Sequence, residues 1–419
     1  MSHCVRCFDG PRKTLIKTKE QPGFPGLFTD LNEHEVQALG LAALGTATVY
    51  QGSCPESWLR SRVAKIVCAN PWLAGHLCSN PSTGKIALFV CEEIDYQGFL
   101  DVKAVANQLH DVLGRQTASA WVKSGPDSAN RHEPICKIMA LTATGHWGLL
   151  ISMSHAVADG HTFYTIHNML DKDAEVWAME RKRVRFNPLR CLTDAPLHGK
   201  WLFWILQQHI VNPMKNCISK RAVGNRSALV FRVRYVRDEW LQEEKRAFTA
   251  CPGAPFVSSQ DLLASWFFQA AKPACGAIVY NMRDRTEGLA ARHAGSYTTL
   301  LMFYPEEYKS AANIRRAISS KSPACTLEGL RQRPGWGGRC GLVTSFHNLC
   351  RAVRLDGCNQ LTHLPSGADT SEADILPPIA AIFRPLPKKL AMWTITEEEL
   401  PSGPLGDTVF GANEANLIR

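Results

Sequence analysis

The chain has 419 residues, a formal net charge of +9, 45% hydrophobic and 20% charged residues. It therefore carries enough apolar surface for packed cores, and at roughly 100–200 residues per domain it should form two large halves rather than one. Its 47 basic residues are scattered and match no nucleic-acid-binding pattern, so a small anionic ligand fits the charge better. The fifteen cysteines are an odd number in a chain whose opening lacks the charged-then-apolar order of a secretory signal, which predicts reduced thiols and a cytoplasmic protein.

Cys4 and Cys7 form a lone CxxC with no second pair or histidines at zinc spacing, so no metal is assigned. From Glu56, Leu59, Val63, Ile66 and Val67 share one helical face up to Pro71. A strand over 86–90 follows, then a helix with Val105, Leu109, Val112 and Leu113 that stops at Gly114. The apolar run from Trp147 to Ser154 reads as a strand, and Phe163, Ile166 and Leu170 read as a helix after Gly160. Residues 172–226 look like a crossover that includes the apolar Trp201 to Leu206, far shorter than the ~20 residues a membrane span needs. Beyond it, Phe231, Val233 and Tyr235 alternate with Arg232 and Arg234 as in a half-buried strand, and Ser258 to Asp261 form a capping box for a helix. Further strands are expected at 276–281, 298–304, 341–346, 379–383 and 390–395. The pattern as a whole is mixed α/β.

The stretch 154–160 contains the chemistry. His155 stands where a strand hands over to a helix, and an imidazole there can take a proton from a hydroxyl or amine at neutral pH. Asp159 is too acidic to share that work and, if buried, needs a partner; Arg283 or Arg285 can supply it. If the segment 281–285 is extended, the two arginines point to one face and Asp284 to the other. His146, His161 and His167 are read as surface or packing residues.

HxxxDG after an apolar strand, within two mixed halves, resembles the coenzyme A-dependent acyltransferase superfamily, which includes chloramphenicol acetyltransferases, BAHD acyltransferases and condensation domains. Trp58 to Leu77 is similar to the family's early helix, Phe256 to Trp266 to its helix start in the second half, Asn281 to Arg285 with Gly295 and Ser296 to its arginine strand and Gly-Asn turn, and Leu342 to Phe346 to its Thr-Ser-Trp strand. The resemblance implies two chloramphenicol-acetyltransferase-like subdomains, 1–171 and 227–419, each a mixed sheet flanked by helices, joined by the crossover 172–226 with a tunnel between them. It implies an acyl-CoA co-substrate, a small-molecule acceptor, a monomer, no permanently bound cofactor and no nucleic-acid partner. His155 would be the general base for direct attack on the thioester, Thr344 an oxyanion donor, and Asp159 a structural residue paired with Arg283. Gly160, Ser258, Ser259, Ser296 and Phe346 would bind substrate or cofactor.

The chain departs from the family in three places. Asp356, Gly357 and Cys358 stand where a DFGWG signature is expected, and Gly335 to Gly337 comes too early to replace it. Phe346 stands for tryptophan and Ser296 for asparagine, which should alter the acceptor or oxyanion side. A condensation-type domain acting on carrier-bound thioesters would carry a doubled histidine, whereas Ser154 precedes His155. A binding protein that has kept the fold and lost catalysis would have little need for His155, Asp159 and Arg283 together.

Overall fold

The computed structural model describes residues 26–105, 121–182, 184, 230–319, 340–366 and 378–409. Two sheets belong to the first half. One is antiparallel and holds β1 (Gly26–Asp30), β3 (His76–Ser79) and β4 (Ile86–Cys91) in the order β1-β4-β3. The other holds β2 (Leu44–Gln51), β5 (Leu100–Ala104), β6 (Cys136–Ala143), β7 (His146–Met153) and β12 (Asn359–Ser366) in the order β12-β2-β7-β6-β5, with only β5 and β6 parallel. The central strand β7 is buried at seven of its eight positions. Apolar clusters cover it on both faces, so it reads as a continuous apolar run rather than an alternating one.

A seven-stranded mixed sheet forms the second half in the order β10-β9-β11-β13-β14-β8-β15. Its strands are β8 (Val230–Val236), β9 (Cys275–Asn281), β10 (Thr298–Phe303), β11 (Cys340–Ser345), β13 (Ile379–Leu386), β14 (Lys389–Thr396) and β15 (Leu405–Thr408). The helices are α1 (Glu33–Ala38), α2 (Glu56–Ala69), α3 (Gly125–Ser128), α4 (Gly160–Asn168), α5 (Asp238–Ala247), α6 (Ser259–Ala271), α7 (Pro305–Tyr308) and α8 (Ala311–Ser319). The predicted face of α2 is buried, with Leu59, Val63, Ile66 and Val67 at 0% exposure. The capping box of α6 is also present: Asp261 N donates to Ser258 Oγ and Ser258 N to Asp261 Oδ2.

The structure differs from the sequence reading at two points, the pairing of one strand and the pairing of two cysteines. Strand β12 lies within the span 227–419 yet pairs antiparallel with β2, His363 opposite Thr48, so the second half lends a strand to the sheet that leads to His155. Cys275 and Cys340 are bonded rather than reduced: they are directly paired where the parallel strands β9 and β11 begin, with Cα atoms 4.9 Å apart, inside the range a disulfide requires. The start of the proposed crossover is held, because Met179 N donates to Asn70 Oδ1 and Lys172 N to Arg354 O. The rest of that crossover, apart from Val184, and the helix predicted to end at Gly114 lie outside the described residues, as do Cys4, Cys7 and Gly335 to Gly337.

Candidate active site

β7 ends at Met153 and the chain turns at once, with Val157 N donating to Ser154 O at 3.2 Å. His155 sits in this turn and is half-buried. Its Nδ1 is buried with no hydrogen-bond partner from another residue, so the residue's remaining exposure lies elsewhere. Burial draws its pKa below the usual histidine value, opposed in part by its own backbone carbonyl and by the Asp159 charge. The imidazole is therefore neutral at neutral pH.

Asp159 caps α4 and makes no hydrogen bond to His155. Its Oδ1 accepts from Thr162 N at 2.9 Å, while Oδ2 accepts from Arg283 Nη1 at 2.6 Å and from Tyr297 N at 2.8 Å. Burial alone would raise its pKa, but the Arg283 charge and these hydrogen bonds win and hold it at about 2. Arg283 is 1% exposed and all five of its N–H groups are used. Besides Asp159, Nη1 donates to Asn281 Oδ1 (3.1 Å), Nη2 to Thr162 Oγ1 and to Gly295 O (both 2.9 Å), and Nε to His293 O (3.0 Å). The Tyr297 ring lies beneath the guanidinium at 5.0 Å.

The anchoring pair expected from the sequence is thus Asp159 with Arg283, in a different backbone from the one expected. β9 ends at Asn281 and the chain turns, with Asp284 at φ 61°, so residues 281–285 are not an extended segment. Arg285 instead covers the Tyr280 ring at 4.5 Å. Sequence reasoning missed Thr162 and Asn281, although Thr162 is three residues past the helix cap, where a side chain can reach back to what the cap binds.

The other expected residues fall into four groups. Gly160 and Phe346 touch each other: a Cβ on Gly160 would lie 2.8 Å from Phe346 Cε1, so the ring needs a glycine there. Ser296 is buried at 0% exposure, its amide 3.4 Å from Glu35 Oε1 and its Oγ without a partner. Thr344 is half-buried near the end of β11, opposite Ala381. Ser258 caps α6, and Ser259 Oγ accepts from Lys245 Nζ at 2.9 Å. Close to the end of β11, His347 Nδ1 lies 2.6 Å from Ser345 Oγ, and Arg384 Nε donates to His347 O at 3.0 Å. Burial, then the charges of Arg384 and Lys245, bring His347 down to about 4. Two cations, Arg384 and Lys245, thus act on the histidine that follows β11.

The mixed α/β fold is shared with coenzyme A-dependent acyltransferases of known structure. The crystal structure of F. graminearum TRI101 complexed with ethyl coenzyme A superposes with a TM-score of 0.61 at 12% identity, over 89% of this chain and 95% of that one. Vinorine synthase superposes at 0.58 and 11% identity over 93% and 96%, and the first condensation domain of the calcium-dependent antibiotic synthetase at 0.55 and 11% over 88% and 91%. No protein-family sequence profile and no curated protein sequence matches the chain. Among the described residues no helix is long and apolar enough to cross a membrane.

Proposed function

We propose that the protein transfers an acyl group from a coenzyme A thioester to a hydroxyl or amine of a small-molecule acceptor. The observation that carries this reading is His155 itself: a half-buried, neutral imidazole at a strand end, on a loop fixed by an Asp–Arg pair that leaves the imidazole free. Such a group is suited to general-base work near neutral pH. His155 takes the acceptor's proton as its oxygen or nitrogen attacks the thioester carbonyl. The resulting oxyanion takes a hydrogen bond from Thr344, a type of contact whose loss costs about 2.7–4 kcal/mol in other enzymes. The C–S bond then breaks, and the leaving thiolate recovers the proton from the imidazolium. No acyl-enzyme forms.

The structural neighbours support a coenzyme A donor, since F. graminearum TRI101 is seen with ethyl coenzyme A and also with coenzyme A and T-2 mycotoxin. Lys245 with Ser259, and Arg384 beside His347, offer cations and donors to the phosphates of such a donor. Gly160 lets the helix start pack against the Phe346 ring. Thiol release from a panel of acyl-CoAs with small alcohols and amines tests the proposal. Acceptor-dependent release supports it. Turnover only with carrier-protein thioesters would favour a condensation activity, and no turnover with any donor would leave a binding role.

A further inference from the structure

Gly160, Tyr164 and Asn168 follow one another at four-residue spacing on α4 and so share a face. That face meets segments that come after residue 340. Gly160 lies against the Phe346 ring, Tyr164 is 5.5 Å from the same ring, and Asn168 Nδ2 donates to Leu349 O at 2.8 Å while its Oδ1 accepts from Arg351 N at 3.1 Å. Tyr164 has another contact that the transfer chemistry does not use. Its hydroxyl is 3.2 Å from His363 Nε2 on β12, and His363 Nδ1 is 2.8 Å from Thr48 Oγ1 on β2. One imidazole thus joins α4, β12 and β2, and Thr48, Tyr164 and His363 are exposed by only 1%, 2% and 1%.

A neutral imidazole has one donor and one acceptor, and each hydroxyl can rotate to complement either tautomer, so the three-residue bridge is satisfied while uncharged. The groups facing it are Thr48 from β2, Tyr164 and His167 from α4, and Phe346 and Cys350 from the segment after β11. The His167 ring lies 4.9 Å from that of His363; its Nδ1 is 3.3 Å from Asn168 Oδ1 and its Nε2 is buried without a partner. Among the described residues no carboxylate bonds to either imidazole. A proton added here would be a buried, unpaired charge beside a second imidazole.

We infer that His363 is a positioning residue: as a neutral bridge it seats the helix that begins at the Asp159 cap, and acid unseats that helix by charging the bridge. The effect on catalysis rests on the transferase reading above, whereas the seating is a property of the packing alone. Burial, and then His167, hold His363 well below the usual histidine range. The bridge is therefore neutral and intact at neutral pH, and the stability it lends to the seated helix erodes as the pH falls from the ordinary histidine value, about 6.5, toward the lowered value in the fold.

The test combines hydrogen exchange over 160–168, corrected for intrinsic rate, with steady-state kinetics on wild type, His363→Gln and His363→Phe. Glutamine keeps a donor and an acceptor but does not titrate; phenylalanine keeps only bulk. Between about pH 7.5 and about pH 5, wild-type protection over 160–168 should fall about tenfold more than that of His363→Gln. At about pH 7.5, His363→Phe should lose about tenfold in kcat with the donor KM unchanged, and His363→Gln should recover most of that loss. Tyr164→Phe, which removes only a hydroxyl, replaces His363→Phe if the latter does not fold. Equal acid loss of protection in wild type and His363→Gln would overturn the inference, as would full kcat in a folded His363→Phe or Tyr164→Phe. If wild type released no thiol from any acyl-CoA, the transferase reading would fall, while the exchange measurement would still decide the bridge.

Discussion

At the scale of single residues, the arrangement depends on one guanidinium whose five donors all have acceptors, among them a carboxylate bound by two backbone amides. Removing one member of a buried pair strands the other's charge, which typically costs about 3–5 kcal/mol. Asp159→Ala and Arg283→Ala should each lower the unfolding free energy by about that amount in urea titrations, and the double variant by clearly less than the sum. Additive losses would show that the two side chains do not act as a pair. The pairing was legible in part: a buried aspartate requires a cation, the residues left Arg283 and Arg285 both open, and the family resemblance chose Arg283. The acceptors at His293 O and Gly295 O were not, because a main-chain carbonyl leaves no trace in residue identity and reaches Arg283 only through a turn.

At the scale of elements, α4 starts with a glycine although alanine is the better helix former by about 1 kcal/mol. Here the Phe346 ring decides. Gly160→Ala puts a methyl 2.8 Å from Cε1 of a packed ring, so it should destabilise by about 1–3 kcal/mol despite its helix propensity, and the added Phe346→Leu change should recover part of that. A stabilised Gly160→Ala variant in thermal melts would contradict the packing. The strand and helix around His155, the buried face of α2 and the capping box of α6 were readable because each follows a local period or cap. β2 and β12 were not. Thr46, Thr48 and His363 interrupt the apolar alternation, and Thr48 and His363 satisfy each other across 315 positions of sequence, a separation that no local pattern spans.

At the scale of the whole molecule, several buried ionisable groups respond to acid in the same direction. Burial leads the causes that bring His76, His167 and His347 down to about 4 and His363 well below its usual value. A histidine whose folded pKa is lowered stabilises the fold fully above its unfolded value of about 6.5, and that contribution is lost as pH falls toward 4. Asp159, held at about 2, acts later: its contribution is present above about 4 and is lost toward 2. The melting temperature should therefore begin to fall near pH 6.5, well above the range in which Asp159 titrates, and His363→Gln should soften that first decline. A flat melting temperature from about pH 7 to about pH 4.5 would contradict this balance. Whether His155 removes the acceptor's proton is decided by acceptor-dependent thiol release from an acyl-CoA, comparing wild type with His155→Ala of unchanged melting temperature. The expected result is a loss of about 10²–10⁴ in kcat, with wild-type activity declining in acid only below the ordinary histidine range. Full turnover by the folded His155→Ala protein would contradict it.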